Sequence, residues 1–170
     1  MEFKDILNKK NILIYHGSDT IVENPKITQP VRALDFGAGF YTTTNIIQAK
    51  SFAKKVMNRN KSSKSYISTY SINTELLKKL EACVFNKPDN RWLDFVSNNR
   101  NETYTGKLYD IIFGPVANDT IFRTFIAYQN GILSKAETLK RLKIRKLYNQ
   151  LVFATEEALS CILFNGELKE

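Results

Sequence analysis

Short apolar runs separated by polar and glycine-containing segments dominate the chain and predict many short strands. Apolar, β-branched or alternating runs predict strands at 11–16, 40–44, 66–72, 82–85, 109–113, 151–153 and 162–164. Between the first two, segment 17–39 carries Gly, Pro, Asn and Asp at short intervals, which is typical of a long loop.

Apolar residues at helical spacing occupy most of the remaining chain. They predict helices at 46–57, 74–80, 89–98, 118–129, 135–143 and 155–159. Asn45 is a typical N-cap residue, and the segment from Thr155 begins with an acidic first turn. Strands and helices do not alternate regularly, and neither the Rossmann glycine fingerprint nor the P-loop motif is present. The pattern predicts one α+β domain over 1–170, with mainly antiparallel sheets.

Composition narrows the class of protein. The chain has 170 residues, of which 43% are hydrophobic and 25% charged, the profile of a soluble globular domain. Neither a membrane-spanning run nor a secretory signal is recognisable, so we expect no membrane association. Cys83 and Cys161 lie far apart in apolar surroundings, which favours buried thiols in a reduced, cytoplasmic protein. A single histidine and the absence of a Cys or His cluster argue against a metal site.

The net charge of +8 indicates an anionic partner, such as a dinucleotide, a nucleic acid or an acidic protein. Many of the basic residues fall in two runs, 54–64 and 135–146. Each run is either a solvated helix face or loop, or a surface that binds a polyanion.

Three segments carry candidate chemistry. The first strand ends in Tyr15-His16-Gly17-Ser18, where a glycine would let the backbone approach a ligand closely. Segment 35–43 has two glycines and then an aromatic pair, which suits a loop folded over a flat ligand, or a β-bulge or tight turn. Segment 148–153 is a strand opened by two amides, and these could instead face solvent.

Together these segments resemble the ADP-ribosyltransferases of the diphtheria-toxin and poly(ADP-ribose) polymerase type. That superfamily has a strand ending in His-Gly-Ser or His-Gly-Thr, then a Gly-x-Gly strand with Tyr, then a late strand opening on Glu. The chain is also similar to a bacterial family of small proteins of unknown function, often encoded beside small partner proteins as in toxin–antitoxin pairs. The shared motifs are YHGSD at 15–19, DFGAGFYTT at 35–43, WLDFVSNNR at 92–100, YDIIFGPVAND at 109–119 and QLVFAT at 150–155.

The resemblance implies a split antiparallel β-sheet core with flanking helices and NAD+ bound as a substrate between two small sheets. His16 would hydrogen-bond a ribose hydroxyl, Gly17 would hold the nicotinamide carboxamide through its backbone, and Tyr41 would stack on the nicotinamide ring. Ser18, Phe36, Gly39 and Arg100 complete the predicted NAD+ contacts, and Arg100 is either a diphosphate clamp or a surface residue.

Gln150 departs from this pattern, because the late strand of the superfamily offers Glu there. An amide can only hydrogen-bond, whereas a carboxylate can also stabilise a developing cation or act as a base. The predicted catalytic residues are therefore His16, Tyr41, Gln150 and an acid, for which Asp119, Asp35 and Glu156 are candidates. Asp119 could equally cap a helix.

Three functions fit these observations. The first is a mono-ADP-ribosyltransferase with NAD+ and a protein or nucleic-acid acceptor as partners. The resemblance implies for it the role of toxin in a toxin–antitoxin or phage-defence pair, with a small antitoxin as a further partner. The second is a catalytically inactive NAD+ or ADP-ribose reader, which the amide at Gln150 favours, and an NAD+ glycohydrolase is a further alternative. The third is a nucleic-acid-binding module, which the net charge favours.

Overall fold

The computed structural model describes residues 1–27, 33–116, 119–143 and 148–168, with the backbone alone for 119–122 and 143. Within these ranges there are seven strands: β1 Leu13–Ser18, β2 Phe40–Thr42, β3 Tyr66–Ile72, β4 Ala82–Val84, β5 Ile111–Pro115, β6 Asn149–Phe153 and β7 Ile162–Leu168. The same ranges contain seven helices: α1 Phe3–Asn8, α2 Ile46–Asn60, α3 Thr74–Leu77, α4 Asn90–Arg100, α5 Asp119–Gln129, α6 Lys135–Lys143 and α7 Glu156–Leu159.

The strands form two sheets. One is three-stranded and antiparallel, in the order β1-β3-β7, and the other is four-stranded, in the order β2-β6-β5-β4. In the second sheet β4 and β5 run parallel, while the other pairs are antiparallel. The α+β class and the mainly antiparallel pairing predicted from the sequence are confirmed. Each sheet takes strands from both halves of the chain, and the single domain over 1–170 stays a prediction.

A first apolar core lies between the two sheets. Ile14 and Tyr70 contribute from the three-stranded sheet, and Phe40, Phe113 and Phe153 from the four-stranded sheet. All are 5% exposed or less, so the sheets face each other through fully buried side chains. This burial explains why the strand sequences read as dense apolar runs.

A second core covers the opposite face of the four-stranded sheet. Ile112 and Val152 point into it because successive strand residues face opposite sides of a sheet. Helix α4 supplies Trp92, Phe95 and Val96, and the prediction that these three residues belong to the core is confirmed.

The predicted elements are present, with boundaries displaced by a few residues. Asn45 caps α2 by accepting a hydrogen bond from the Gln48 N–H, and Thr155 caps α7 through the Ala158 N–H. Helix α1 was not predicted, because six residues with Phe3 and Ile6 on one face give too short a periodic signal. Cys83 and Cys161 are buried free thiols, as predicted. No helix in the described ranges is both long enough and apolar enough to cross a membrane.

Helix α2 packs on β1 at Gly17. A Cβ added to Gly17 would lie 2.2 Å from the Ala49 carbonyl oxygen and 2.9 Å from the Ala53 nitrogen. Both contacts are to helix backbone, which cannot rotate away as a side chain can. The sequence suggested that Gly17 lets the backbone approach a ligand closely. In the structure, the absence of a side chain at Gly17 allows the close approach of α2.

We expect Gly17→Ala to lower the free energy of unfolding by about 3 kcal/mol, because α2 must move away from β1. Urea denaturation followed by circular dichroism measures this change. Ser18→Ala, one residue further on the opposite face of the strand, is the control and should have little effect. Equal stability of the two variants would show that α2 does not constrain this position.

Candidate functional site

The two sheets meet edge to edge where β1 approaches β2. The Tyr15 N–H donates to the Thr43 carbonyl at 2.8 Å, and the Thr43 N–H donates to the Tyr15 carbonyl at 3.0 Å. Backbone groups of alternate strand residues point to the same edge. The N–H and C=O of Gly17 therefore lie on the edge of β1 that faces β2, and those of Tyr41 on the edge of β2 that faces β1. We call this junction the seam.

His16 spans the seam. Its Nδ1 lies 2.7 Å from the Tyr41 carbonyl oxygen, and its ring stacks on Phe40 with the centroids 4.5 Å apart. Since a carbonyl oxygen only accepts, Nδ1 carries the proton and donates. Burial lowers the pKa of His16 below its usual range. The ring is therefore neutral near pH 7, with Nε2 as a hydrogen-bond acceptor.

The Tyr41 side chain fixes the loop that precedes β2. Its hydroxyl donates to the Gly37 carbonyl oxygen at 2.7 Å and accepts from the Phe36 N–H at 3.1 Å. Burial, and to a lesser extent the nearby charge of Asp35, raises the pKa of Tyr41 well above its usual range. Tyr41 therefore serves as a neutral hydrogen-bonding group that holds residues 36 and 37 against β2.

A buried ion pair lies beside Tyr41. The Arg100 Nε donates to Asp35 Oδ1 at 2.7 Å, and a guanidinium Nη2 contacts the same oxygen. The Gln150 side-chain amide lies 3.5 Å from the other carboxylate oxygen, Oδ2. The Arg100 guanidinium carbon lies 4.9 Å from the centre of the Phe125 ring. We call Asp35, Arg100 and Gln150 the buried triad.

The structure brings Tyr41 and the buried triad together. Tyr41 pairs with Val152 in the strand register, so Tyr41, Val152 and Gln150 face the same side of the sheet. His16 stacks on Phe40, whose side chain faces the opposite side of β2 from Tyr41. His16 is therefore linked to this group through the Tyr41 backbone. The prediction that His16, Tyr41 and Gln150 surround one ligand stays a prediction.

Several predicted site residues have packing roles. The Phe36 ring is 2% exposed and packs near Phe85 and Phe95. A Cβ on Gly39 would lie 2.6 Å from Val152 Cγ1, so this glycine permits close approach of β6. These placements give Phe36 and Gly39 structural roles that the sequence did not predict, and leave their contacts with NAD+ as predictions.

The remaining predicted residues are less central. The Ser18 hydroxyl lies 3.4 Å from Asp19 Oδ1 at the end of β1. Glu156 is exposed in the first turn of α7. Asp119 is the first residue of α5, and its side chain lies outside the described part of the structure. Of the candidate acids whose side chains the structure describes, Asp35 contacts Gln150.

Sequence reasoning missed two features. Phe40 supports the His16 ring, and Asp35 contacts both Arg100 and Gln150 from more than 60 residues away in the chain. Successive strand residues face opposite sides of a sheet, so the adjacent pair Phe40-Tyr41 puts one ring on each side of β2. No local pattern joins residues 35, 100 and 150, because their contact depends on the packing of α4 against β6.

Two surface cavities, of about 770 and 370 Å³, are lined by residues other than those predicted to bind NAD+. Within the described residues, no group of three or more His, Cys, Asp or Glu is placed to hold a metal ion.

Comparison with known protein families identifies the family of the chain. The model of a protein family described as "Protein of unknown function (DUF3990)" matches residues 12–164. No curated protein and no solved structure matches the chain. The matched range includes every predicted site residue.

The lowered pKa of His16 makes folding stability depend on pH. The unfolded chain protonates this side chain near pH 6.5, whereas the folded chain resists protonation. The contribution of His16 is therefore complete above about pH 6.5 and is lost as the pH falls toward the folded-state pKa. We expect the stability difference between the parent protein and His16→Gln to shrink below that pH in urea denaturation. Parallel stability profiles from pH 8 to pH 5 would contradict this assignment.

The buried ion pair should behave as a coupled unit. Arg100→Met leaves the Asp35 carboxylate buried without its cation, and we expect a loss of about 3–5 kcal/mol of unfolding free energy. The double variant Asp35→Asn with Arg100→Met should lose less than the sum of the two single variants. A control is Lys78→Met, which breaks an exposed pair with Glu75 and should leave stability nearly unchanged. Additive losses at Asp35 and Arg100 would show that the pair is not coupled.

Proposed function

The chain belongs to the family described as protein of unknown function (DUF3990), and we propose that it is an NAD+-dependent mono-ADP-ribosyltransferase. The observation that carries the proposal is the seam between the two sheets. There, a neutral histidine held by a backbone carbonyl lies next to the edge-facing backbone groups of Gly17. This arrangement supports the proposal, for which the resemblance implies NAD+ bound between two small sheets.

The groups at the seam are chemically suited to the nicotinamide half of NAD+. A carboxamide offers an acceptor oxygen and an NH2 donor group, which the N–H and C=O of Gly17 can match through paired backbone hydrogen bonds. His16 Nε2 can accept a hydrogen bond from a ribose hydroxyl, because Nδ1 carries the ring proton. The proposal assigns the stacking contact with the nicotinamide ring to Tyr41, whose backbone carbonyl holds His16.

The proposed reaction breaks the bond between C1′ of the ribose and the nicotinamide nitrogen. The bonding electron pair leaves with nicotinamide, which becomes neutral, and positive charge develops on the ribose. A lone pair of the acceptor then forms a new bond to C1′, and the acceptor loses a proton. The protein can favour this step by stabilising the cation. His16 itself adds no positive charge, because its buried ring is neutral.

Asp35 is our candidate for the carboxylate that stabilises the cation. It contacts Gln150, which occupies the position where the resembled superfamily has Glu. Gln150 would then orient the ribose by hydrogen bonding. Asp35 would supply the negative charge from behind Gln150, farther from the ribose than the amide. Arg100 holds the carboxylate in place.

The amide at Gln150 also favours a second candidate, a reader that binds NAD+ or ADP-ribose without cleaving it. Release of nicotinamide separates the two, because a reader releases none. A glycohydrolase would release nicotinamide and transfer ADP-ribose to water alone. A toxin role, with an antitoxin that blocks the seam, is part of the proposal and rests on the sequence resemblance.

We expect purified protein to transfer label from NAD+ carrying it on the adenylate side to a macromolecule in cell lysate. His16→Ala should abolish both this transfer and nicotinamide release, since it removes the acceptor nitrogen at the seam. Nuclease treatment of the product distinguishes a nucleic-acid acceptor from a protein acceptor. Intact NAD+ in the presence of the folded parent protein would exclude the transferase.

The role of Asp35 is tested by exchanging acid and amide. Asp35→Asn should lower the rate of nicotinamide release by roughly 100- to 1000-fold, because it removes the only proposed source of negative charge. Asp35→Asn combined with Gln150→Glu keeps one carboxylate and one amide in contact, and we expect it to recover much of the rate. Thermal unfolding of each variant checks that the buried triad stays folded. Full activity of Asp35→Asn would remove Asp35 from the mechanism.

A further inference from the structure

A groove of about 770 Å³ lies at the end of β1, between the second half of α2 and the beginning of β3. Its walls include Lys54, Asn58, Lys64, Ser65, Tyr66 and Glu167. We propose that this groove binds single-stranded nucleic acid and that the bound strand is the acceptor of ADP-ribose. The second half of the proposal rests on the proposed function, whereas the binding site does not.

The charge of the groove favours a polyanion. Segment 45–66, which forms α2 and the turn into β3, contains six Lys or Arg residues and no Asp or Glu. Lys54 and Asn58 are four positions apart in α2, so they lie on the same face of the helix. Lys64 reaches the groove from the turn that follows. Basic side chains on two sides of a groove can follow the phosphates of a strand that passes through it.

The turn that carries the basic residues is fixed in place. Asn60 Nδ2 and Ser62 Oγ donate to Asp19 Oδ2 at 3.0 and 2.6 Å. Lys61, between them, has a left-handed backbone with φ of 56° and ends α2. Asp19 follows β1 directly, so the turn is tied to the end of that strand. A groove with a fixed wall loses little entropy when it binds a ligand.

Tyr66 favours a single strand over a duplex. Its half-buried side chain lines a concave site, where an unstacked base can lie against the aromatic ring. Ser65 and Asn58 offer donors and acceptors, and Glu167 can accept from base amino groups. Bases within a duplex are stacked on each other and do not present their faces to such a groove.

The groove is close to the seam along the same strand. Tyr66 pairs with Ser18, and Ile67 pairs with Gly17, in the register of β1 and β3. A nucleic acid held at Tyr66 therefore lies next to the strand segment that carries His16 and Gly17. This position would deliver a nucleophilic group of the strand toward C1′ of NAD+ bound at the seam.

Binding is tested first, without NAD+, by fluorescence anisotropy with a labelled 12-nucleotide single-stranded RNA and DNA of mixed sequence. Lys54→Glu with Lys64→Glu should weaken binding at least tenfold in 0.1 M salt. It should also reduce the slope of log affinity against log salt by about 1.4, as expected for two phosphate contacts on a single strand. Tyr66→Leu should weaken binding about tenfold and leave the salt slope unchanged.

The matched control is Lys9→Glu with Lys10→Glu, which changes the net charge equally at the opposite end of β1. It should bind almost as tightly as the parent protein. Absence of binding at low salt, or equal losses in the groove and control variants, would overturn the site. Tighter binding to duplex than to single strands would overturn the choice of ligand.

The acceptor role is tested by adding labelled NAD+ to the same oligonucleotides. We expect label on the oligonucleotide, and less of it with the Lys54→Glu and Lys64→Glu variant. Nicotinamide release with label on protein alone would overturn the acceptor role and leave the transferase standing. Binding through the groove without any cleavage of NAD+ would overturn the transferase and leave the binding site standing.

Discussion

The junction between β1 and β2 is the constraint on which the candidate site depends. One isolated bridge, between Tyr15 and Thr43, brings the edges of two separate sheets together. Next to this bridge, a side chain connects the two strands: His16 Nδ1 donates a hydrogen bond to the Tyr41 carbonyl oxygen. The same hydrogen bond fixes the tautomer of the ring. It therefore both links the two sheets and leaves Nε2 unprotonated as a hydrogen-bond acceptor. Helix α2 supports this geometry from outside, because Gly17 lets it pack directly on β1.

The buried triad gives the other side of the site its electrostatic character. A carboxylate and a guanidinium that are both largely buried are held by each other, since either alone would be costly to bury. Gln150 joins them through a neutral amide, which adds a hydrogen bond without adding charge. A glutamate at 150 would place a second carboxylate beside Asp35, and like charges at that distance oppose each other. The amide at 150 and the acid at 35 are therefore physically consistent as a pair.

Much of the architecture could be predicted from local patterns. The run ending at His16 and the alternation in 66–72 predicted strands, and Asn45 and Thr155 marked the starts of helices that the structure contains. Trp92, Phe95 and Val96 predicted a buried helix face, because their spacing follows the helical repeat. The site was predicted less completely. The His16 ring contacts the Tyr41 backbone, whereas the packing of Phe36 against neighbouring rings and of Gly39 against β6 had no signal in the sequence.

The sequence by itself determined the element order, the α+β class, the basic character of segment 45–66 and the chemical groups available to a ligand. These properties depend on residue type and on spacing within about 20 positions, so they follow from interactions between residues that are close in the sequence. Only the tertiary structure decided which groups meet. The contact of Asp35 with Gln150 spans 115 positions, and the pairing of Ser18 with Tyr66 joins the groove to the strand that carries His16. Such contacts follow from how sheets and helices pack, and packing depends on the whole chain at once.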